Sequence, residues 1–411
     1  MTTWLDVPAD HPFGPHTLPY GVFSTADAPD RRRVGVRIGD SVLDVTAVEG
    51  LRRVPVHGPD LLDAWSSPSL NPFLALGSRA WITARAWLRE LVTREHLCAV
   101  VEPALLPLSH VTLHLPIEVA DYVDFYASED HASNVGKIFR PDNAALPPNW
   151  KHLPIGYHGR SGTVVVSGTD VVRPSGQRKG PKDPSPVFGP SIRLDIEAEL
   201  GYVVGGATAM GTRVAVDEAA DHLFGVVILN DWSARDIQAW EYVPLGPFLG
   251  KSFATSISAW VTPLEALEQA KVALPGPREP QVLPYLEGEG AFGLDVHLEV
   301  SINGTVVSRP EYSGLYWSPA QMLAHLTVNG ASLRDGDLFG SGTISGPAKD
   351  TRGSLLELTW NGAEPLTLDD GSQRGFLEDG DAVTITAWAP GPDGSRIGLG
   401  EVTGAIRPTS A

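Results

Sequence analysis

Apolar and polar residues alternate along much of the chain, which is the pattern of half-buried β-strands. Alternate positions from Val34 to Ile38 are apolar, and Gly39-Asp40 then offers a two-residue turn. This combination is typical of a β-hairpin. We therefore expect several short strands in the first part of the chain.

A helical repeat replaces the alternation at Ser78, which could act as an N-cap. The apolar residues that recur at helical spacing are Trp81, Ala84, Leu88 and Leu91. We expect this helix to end a small N-terminal unit near Val100. The two-proline segment from Val101 to Leu108 is predicted to be a linker.

The longer remainder is again dominated by strand patterns. Alternation from Phe292 to Ile302 ends in Asn303-Gly304, a strong hairpin signal. Turns at 335–337 and 379–381 precede apolar stretches, and Ser318-Pro319 opens a short helix with a cap and a proline in place. Segment 274–290 is expected to be a surface excursion because it carries several prolines, namely Pro275, Pro277, Pro280 and Pro284.

These patterns predict a mostly-β (α+β) protein with few helices. The 43 glycines and 35 prolines supply turns for many short strands. The length favours a small unit over residues 1–108 and a large one over 109–411. Periodicity does not distinguish a barrel, a sandwich and a roll.

Four carboxylates stand beside apolar runs, where an ionised acid is costly unless it is paired or bound to metal. They are Asp124, Glu197, Glu199 and Asp231. Oxygen ligands without cysteine indicate calcium or magnesium. The alternation from Leu194 to Leu200 places Asp195, Glu197 and Glu199 on one strand face, which could equally be a solvated face.

Asp231 follows the apolar run from Leu223 to Leu229, which predicts a buried strand. Sites are often assembled at the ends of rigid strands, so Asp231 supports the metal hypothesis. A helix capped at Ser233 is expected to follow. The alternative is that Asp231 or Ser233 serves only as a helix cap.

His131 lies seven residues after Asp124 and is a candidate general base for a water beside the metal. Such a base needs an acid on its second ring nitrogen, and Glu357 could supply one. Sequence alone does not pair them. A satisfied or surface histidine remains the alternative.

Composition restricts the class of partner. The formal charge of −18 disfavours nucleic acid and anionic membranes, and leaves an anionic small molecule only where local arginines reverse the field. Cys98 is the single cysteine, which excludes an intramolecular disulfide and fits a reducing compartment. With no apolar run near ~20 residues and no signal-peptide pattern, a soluble cytoplasmic protein is expected.

Several long blocks of distinctive sequence follow one another along the chain. The first is Asp-Tyr-Val-Asp-Phe-Tyr-Ala-Ser-Glu-Asp-His-Ala-Ser-Asn-Val-Gly at 121–136, followed by Leu-Pro-Ile-Gly-Tyr-His-Gly-Arg at 153–160 and Leu-Asp-Ile-Glu-Ala-Glu-Leu-Gly at 194–201. Two more are Leu-Asn-Asp-Trp-Ser-Ala-Arg-Asp-Ile-Gln-Ala-Trp-Glu at 229–241 and Gly-Thr-Ile-Ser-Gly-Pro at 342–347. These blocks resemble the fumarylacetoacetate hydrolase family in the same order. Leu-Pro-Tyr-Gly-Val-Phe-Ser-Thr at 18–25 resembles the small SH3-like N-terminal domain of the full-length members. Small departures occur at Ser133 and Lys137.

The resemblance implies an SH3-like β-barrel before a β-rich catalytic domain, described as a mixed β-sandwich roll. The implied reaction is hydrolysis of the carbon–carbon bond of 4-fumarylacetoacetate to fumarate and acetoacetate, in a cytoplasmic homodimer that degrades tyrosine and phenylalanine. The resemblance also assigns Ca²⁺ to the four carboxylates and places Mg²⁺ near Asp231, Lys251 and Thr255. His131 with Glu357 would activate water, while Arg235, Gln238 and Lys251 stabilise the leaving enolate. The implied positions that hold the dicarboxylate substrate are Tyr126, Arg140, Tyr157, Gln238, Tyr242 and Thr343.

Two other functions remain open at this point. One is a related hydrolase or decarboxylase acting on another β-keto acid, because fold does not fix substrate. The other is a cation-binding protein without catalysis. His131, Arg235 and Lys251 disfavour the second, since storage of a cation does not need them.

Overall fold

The computed structural model describes residues 2–48, 61–142, 144–180, 182–276 and 278–409. Over these residues the chain is mostly β, with large sheets and short helices, which confirms the predicted fold class. None of the helices in these ranges combines the length and the apolar character needed to cross a bilayer.

The N-terminal strands form an antiparallel set in the order β5-β1-β2-β3-β4. Their bounds are β1 (Tyr20–Thr25), β2 (Ala28–Ile38), β3 (Ser41–Asp44), β4 (Leu105–Pro107) and β5 (Val111–His114). The predicted hairpin is confirmed, because Ile38 pairs with Ser41 and Gly39 takes a φ of 56°. Among the described strands no pairing joins β4 to β5, so no closed barrel is found.

Helices lie between the third and fourth strands. They are α1 (Leu61–Trp65), α2 (Asn71–Leu74), α3 (Ser78–Thr93) and α4 (Cys98–Val101). The long helix buries its predicted stripe, but the cap assignment is wrong: Gly77 precedes the helix, and the Ser78 hydroxyl donates instead to Asp221. The segment predicted as a linker is part of the sheet, since β4 pairs with β3.

The middle of the chain builds the sheet that carries the site. The strands in this part of the chain are β6 (Tyr122–Phe125), β7 (Gly156–His158), β8 (Val164–Val166), β9 (Val171–Val172), β10 (Ser175–Arg178), β11 (Val187–Pro190), β12 (Leu194–Asp195), β13 (Ala198–Val204), β14 (Leu223–Asp231), β15 (Ser233–Ala234), β16 (Thr255–Ile257) and β17 (Trp260–Pro263). Of these, β6, β7, β8, β13, β14, β16 and β17 belong to that sheet, β9 joins a second sheet, and β10-β11 and β12-β15 form two-stranded ribbons. Pairing of β1 with β17 joins the N-terminal strands to this sheet.

The remaining strands are divided among this sheet, a second large sheet and two two-stranded ribbons. They are β18 (Lys271–Val272), β19 (Gly293–Leu294), β20 (His297–Ile302), β21 (Thr305–Ser308), β22 (Leu338–Gly340), β23 (Leu366–Thr367), β24 (Gln373–Arg374), β25 (Ala382–Pro390) and β26 (Arg396–Arg407). The main path runs β4-β3-β2-β1-β17-β14-β13-β22-β6-β7, and a second sheet runs β21-β20-β25-β26-β9. The second sheet packs through β26 against β14 and β17.

Strand β14 is buried on both faces, which explains its continuous apolar run. Val226 and Ile228 pack into the core between the two sheets, whereas Val227 and Leu229 pack into the core under the N-terminal unit. A strand covered on both sides needs apolar residues at every position. The predicted buried strand is confirmed, and it delivers Asp231 to the end of the sheet.

Four further helices complete the described fold: α5 (Glu129–Phe139), α6 (Arg235–Glu241), α7 (Pro319–Thr327) and α8 (Leu355–Leu358). The predicted capping of α7 is confirmed, because the Ser318 hydroxyl accepts from the Gln321 amide. The cap predicted at Ser233 is wrong, since Ala234 precedes α6 and the Ser233 hydroxyl donates to the Asp231 carbonyl.

One strand prediction and the predicted surface excursion hold only in part. The alternation from Phe292 to Ile302 is divided between β19 and β20, although the hairpin at Asn303-Gly304 is confirmed by positive φ values at both residues. The excursion 274–290 packs inward at Leu286, which is fully buried. Its Pro277 lies outside the described residues.

Candidate active site

Neighbouring strands carry four acidic side chains to one point. Asp124 lies on β6, Glu199 on β13 and Asp231 at the end of β14, while Glu197 immediately precedes β13. One carboxylate oxygen from each residue lies within 4.8 Å of the others, and all four side chains are buried. The sequence alternative of a solvated strand face is therefore excluded for Glu197 and Glu199.

Gly340 leaves the space in which two of these carboxylates meet. It pairs with Asp124 across β22 and β6. A Cβ atom at Gly340 would lie 2.6 Å from Asp124 Oδ1 and 2.8 Å from Glu199 Oε2. Both distances are shorter than van der Waals contact, so a larger residue here would displace these carboxylates or the strand.

The electrostatics of the cluster call for a cation. Burial, followed by the charge of Asp231, raises the pKa of Asp124 well above its usual range. Burial and the charge of Asp124 do the same to the pKa of Glu199. Neither Asp124 Oδ1 nor Glu199 Oε1 receives a hydrogen bond from a donor in the described protein. Buried acceptors without donors are the groups that a hard cation satisfies.

Glu197 differs because two basic side chains reach it. Lys251 Nζ contacts Glu197 and lies 2.8 Å from Asp231 Oδ2, and Arg235 Nη2 lies 2.8 Å from Glu197 Oε1. Burial opposes ionisation of Glu197, but Lys251 and Arg235 outweigh it and lower the pKa of this carboxyl. These two basic side chains offset only part of the negative charge of the four carboxylates, since Arg235 is shared with Asp195, and the remaining negative charge favours a divalent cation. The donor set therefore fits calcium or magnesium.

His131 and Glu357 lie side by side next to the cluster. The N-terminus of α5 is capped by Ser128 and places His131 in its first turn. His131 Nδ1 lies 2.7 Å from Glu357 Oε2, and His131 Nε2 lies 3.8 Å from Glu197 Oε1. Burial alone would raise the pKa of Glu357, but His131 and the hydrogen bonds from Asn134 and Ser354 lower it. The acid is thus ionised beside the imidazole.

A cavity of about 370 Å³ opens onto this face of the cluster. Its lining includes Asp124, Glu197, His131, Arg235 and Lys251. Every position that the resemblance assigned to substrate also lines it, namely Tyr126, Arg140, Tyr157, Gln238, Tyr242 and Thr343. Glu199, Asp231 and Glu357 are not among the lining residues and lie behind them.

Two of the assigned groups already contact the cluster. The Tyr157 hydroxyl donates to Asp231 Oδ2 at 2.8 Å. The Thr255 hydroxyl donates to Asp231 Oδ1 at 3.1 Å. Gln238 Oε1 accepts from Arg235 Nη1 at 3.2 Å, which leaves the amide nitrogen of Gln238 for another acceptor. Polar groups are therefore distributed around the mouth and the floor of the cavity.

The structure corrects the face assigned to Asp195. The strand is interrupted at Ile196 and Glu197, so Asp195 turns away from the four-carboxylate cluster and pairs with Arg235. The alternation rule fails where the backbone leaves the extended ladder.

Sequence reasoning missed the groups that hold Glu357. Asn134 Nδ2 donates to Glu357 Oε1 at 3.0 Å, and the hydroxyls of Ser345 and Ser354 donate to Oε2 at 2.9 and 2.8 Å. Asn134 lies three residues after His131, a spacing that would place both side chains on one face of a helix, and this was an available signal. Ser354 precedes Glu357 by three residues at the start of α8, the Ser-x-x-Glu spacing that marks helix N-termini, which was a second available signal. Ser345 had none.

Comparison with family models and known proteins agrees with this geometry. The model described as fumarylacetoacetate (FAA) hydrolase C-terminal matches residues 121–407, and that described as fumarylacetoacetase N-terminal matches residues 16–116. The chain is 44% identical to fumarylacetoacetase from Homo sapiens and 46% identical to fumarylacetoacetase from Caenorhabditis elegans, over 99% of this chain and 99% of each relative.

Solved structures extend the likeness to the fold. Fumarylacetoacetate hydrolase from Exiguobacterium antarcticum superimposes with a TM-score of 0.54 at 16% identity, over 95% of this chain and 99% of that one. Maleylpyruvate hydrolase from Sphingobium sp. SYK-6 gives a TM-score of 0.52 at 15% identity, over 96% of this chain and 100% of that one. The fold is thus of the FAA hydrolase type. Within that class, the full-length identities show that the chain belongs to the fumarylacetoacetase family.

Proposed function

We propose that this protein is a fumarylacetoacetase, which hydrolyses 4-fumarylacetoacetate to fumarate and acetoacetate in the breakdown of tyrosine and phenylalanine. The observation that carries the proposal is the hydrogen-bonded pair of Glu357 and His131 beside four buried carboxylates, in a chain whose relatives are fumarylacetoacetases. This arrangement favours hydrolysis over storage of a cation, because storage needs neither a base nor a substrate cavity.

The first chemical step falls to His131. Glu357 accepts from Nδ1 and so keeps the ring proton there, which leaves the Nε2 lone pair free to take a proton from water. The water oxygen forms a bond to the carbonyl carbon that becomes a carboxylate of fumarate. The bond from that carbon to the methylene carbon that becomes the methyl group of acetoacetate then breaks, and its electron pair leaves as an enolate. The proton held by His131 balances the charge when the enolate is protonated.

The leaving group needs positive charge, and buried basic residues are placed to supply it. Burial opposes ionisation of Lys251, but Asp231 and Glu197 outweigh it and raise its pKa, so the ammonium stays charged. Glu197 and Asp195 raise the pKa of Arg235 in the same way. Charges fixed in a buried site stabilise a developing oxyanion without reorganisation. We assign Arg235, Lys251 and the Gln238 amide to this role.

A divalent cation bound by Asp124, Glu197, Glu199 and Asp231 would supply a Lewis acid for the diketone oxygens. We assign Ca²⁺ to these four carboxylates and Mg²⁺ to the neighbourhood of Asp231 and Thr255. A protonated Lys251 has no lone pair for a metal, so it neighbours that ion as a charge partner. For the substrate carboxylates, Arg140 offers a planar guanidinium fork, while Tyr126, Tyr157, Tyr242 and Thr343 contribute hydroxyl groups.

The proposal includes the finer architecture and state implied by the family resemblance. Residues 1–108 would form the SH3-like domain, supported by the five neighbouring strands β1 to β5, and 109–411 the catalytic domain with its mixed sandwich roll. A cytoplasmic homodimer is part of the same proposal. Exposed apolar side chains support pairing with a second copy: Leu245, which lines the cavity, is 96% exposed, and the nearby Phe248 is 64% exposed. Light scattering of the purified protein tests the dimer.

The activity is tested by incubating purified protein with fumarylacetoacetate and quantifying fumarate and acetoacetate. We expect both products in equal amounts, loss of activity on chelation, and recovery on addition of Ca²⁺ or Mg²⁺. The His131→Ala variant serves as the matched inactive control. Intact substrate after incubation with the cation-loaded protein would overturn the proposal.

A further inference from the structure

Asp195 is a fully buried carboxylate outside the cation cluster, and four donors converge on it. Its Oδ1 accepts from the backbone amides of Ile196 and Leu355, each at 2.7 Å. Its Oδ2 accepts from Arg235 Nε at 2.7 Å and from the Leu356 amide at 3.0 Å. Each oxygen therefore receives two hydrogen bonds.

The partners of Asp195 that are distant in the chain belong to two different parts of the candidate active site. Arg235 begins α6 and reaches the cluster at Glu197. Leu355 and Leu356 begin α8, the short helix whose third residue is Glu357. Asp195 thus joins the arginine that faces the cation cluster to the helix that carries the partner of His131.

We propose that Asp195 is a positioning residue that holds Arg235 against Glu197 and Glu357 against His131 at the same time. This inference rests on the proposed function, because it concerns the geometry of that reaction. Asp195 touches neither the cavity nor the cluster, so its effect passes through Arg235 and Glu357.

The four-donor environment requires a carboxylate. An amide has one oxygen acceptor, and its nitrogen would face either Arg235 or the backbone amides of α8, which are donors. The arginine would also lose a buried counter-charge.

The test compares the Asp195→Asn and Asp195→Glu enzymes with the unmodified one. We expect Asp195→Asn to lower kcat by roughly 10- to 100-fold, the usual effect of a small displacement of reacting groups, with KM changed much less. Asp195→Glu keeps the charge and should recover part of the loss. Asp381→Asn is the matched control, because Asp381 is equally buried and accepts from Arg374, Asn303 and the Glu378 amide, which do not line the cavity.

Combined variants separate positioning from a general structural role. Asp195→Asn should cost less kcat in the Arg235→Lys enzyme and in the Glu357→Gln enzyme than in the unmodified one, because the group it acts through is already altered. If Asp195→Asn caused a general structural defect, its loss of kcat would multiply with the loss caused by either second change. The Asp381→Asn enzyme would then also lose kcat.

The outcomes are distinct from those of the proposed function. An unmodified enzyme without activity removes the proposed reaction and this inference with it. An active unmodified enzyme whose Asp195→Asn form keeps full kcat, or whose combined losses multiply, overturns the inference alone. So does failure of both Asp195 variants to fold when Asp381→Asn folds, because Asp195 would then be required by the fold itself.

Discussion

Nδ1 of His131 lies 2.7 Å from Oε2 of Glu357, although 226 positions separate the two residues in the chain. Three other donors reach the same carboxylate: Asn134 on one oxygen, Ser345 and Ser354 on the other. These three hydrogen bonds therefore fix the Glu357 carboxylate independently of His131. A fixed acceptor on Nδ1 orients the ring and leaves Nε2 available as a base.

Replacement of His131 by alanine should lower kcat by roughly 10²- to 10⁴-fold, the usual contribution of a positioned general base. Cation affinity should stay near that of the unmodified protein, because His131 is not one of the four ligands. Steady-state kinetics and calorimetric titration with Ca²⁺ measure the two quantities. The exposed His152 supplies a control alanine variant. A His131→Ala enzyme with full activity would remove the base assignment and leave the cation site standing.

Glu357→Gln should give a loss of similar size, and the double variant should be little worse than either single variant. The reason is that a base and its orienting acid act as one unit, so removal of the second adds little. Measurement of kcat for the three enzymes completes the cycle. Losses that multiply would show independent roles.

The stability cost of Glu357→Gln should depend on pH. The folded pKa of Glu357 lies below that of an unfolded glutamate, about 4.3, so its contribution is present above that value and is lost as the pH falls through the folded pKa. A glutamine also presents an amide nitrogen to several donors, at a cost of about 1–3 kcal/mol near pH 7. Urea unfolding of both proteins from pH 7 to below pH 4 should show the difference shrinking once the pH falls below about 4.3. A constant difference would contradict this account.

The sequence predicts those parts of the site that depend on local pattern. The apolar run before Asp231 required a strand covered on both faces, and β14 is such a strand. Turn chemistry at Gly39 and at Asn303-Gly304 fixed two hairpins, because few residues adopt positive φ without strain. These elements need no knowledge of distant contacts.

The remainder depends on contacts between distant parts of the chain. Alternation placed Asp195 with Glu197, but the ladder breaks between them and sends Asp195 to Arg235 and α8. Ser78 resembles a cap and is instead bonded to Asp221, which lies 143 positions away. The pairing of His131 with Glu357, 226 positions apart, is likewise set by long-range packing, for which one sequence carries no signal.

Arg140→Lys should raise KM with little change in kcat. A guanidinium can bind a carboxylate through two parallel hydrogen bonds, whereas an ammonium is a point charge. The loss would affect ground state and transition state alike, which appears as KM. Initial rates across a range of fumarylacetoacetate concentrations measure it, with Arg213→Lys at an exposed position as the control. An unchanged KM would make Arg140 a structural residue.

Gly340→Ala should weaken cation binding without removing a single ligand. The added methyl group would lie 2.6 Å from Asp124 Oδ1 and 2.8 Å from Glu199 Oε2. Glu199 cannot simply turn aside, because its Oε2 accepts from the Gly342 amide at 3.0 Å. Overpacking of this kind costs about 1–3 kcal/mol, so the Ca²⁺ or Mg²⁺ dissociation constant should rise by roughly 5- to 150-fold.

Calorimetry on the Gly340→Ala protein measures this change, and Asp231→Asn and Glu199→Gln, which each remove an anionic oxygen, should weaken binding in the same assay. Gly162→Ala is the matched control, since a Cβ atom there meets nothing within 4 Å. Unchanged cation affinity in Gly340→Ala and in both carboxylate variants would mean that the ion binds elsewhere. A loss confined to the carboxylate variants would instead show that β22 can shift to admit the methyl group.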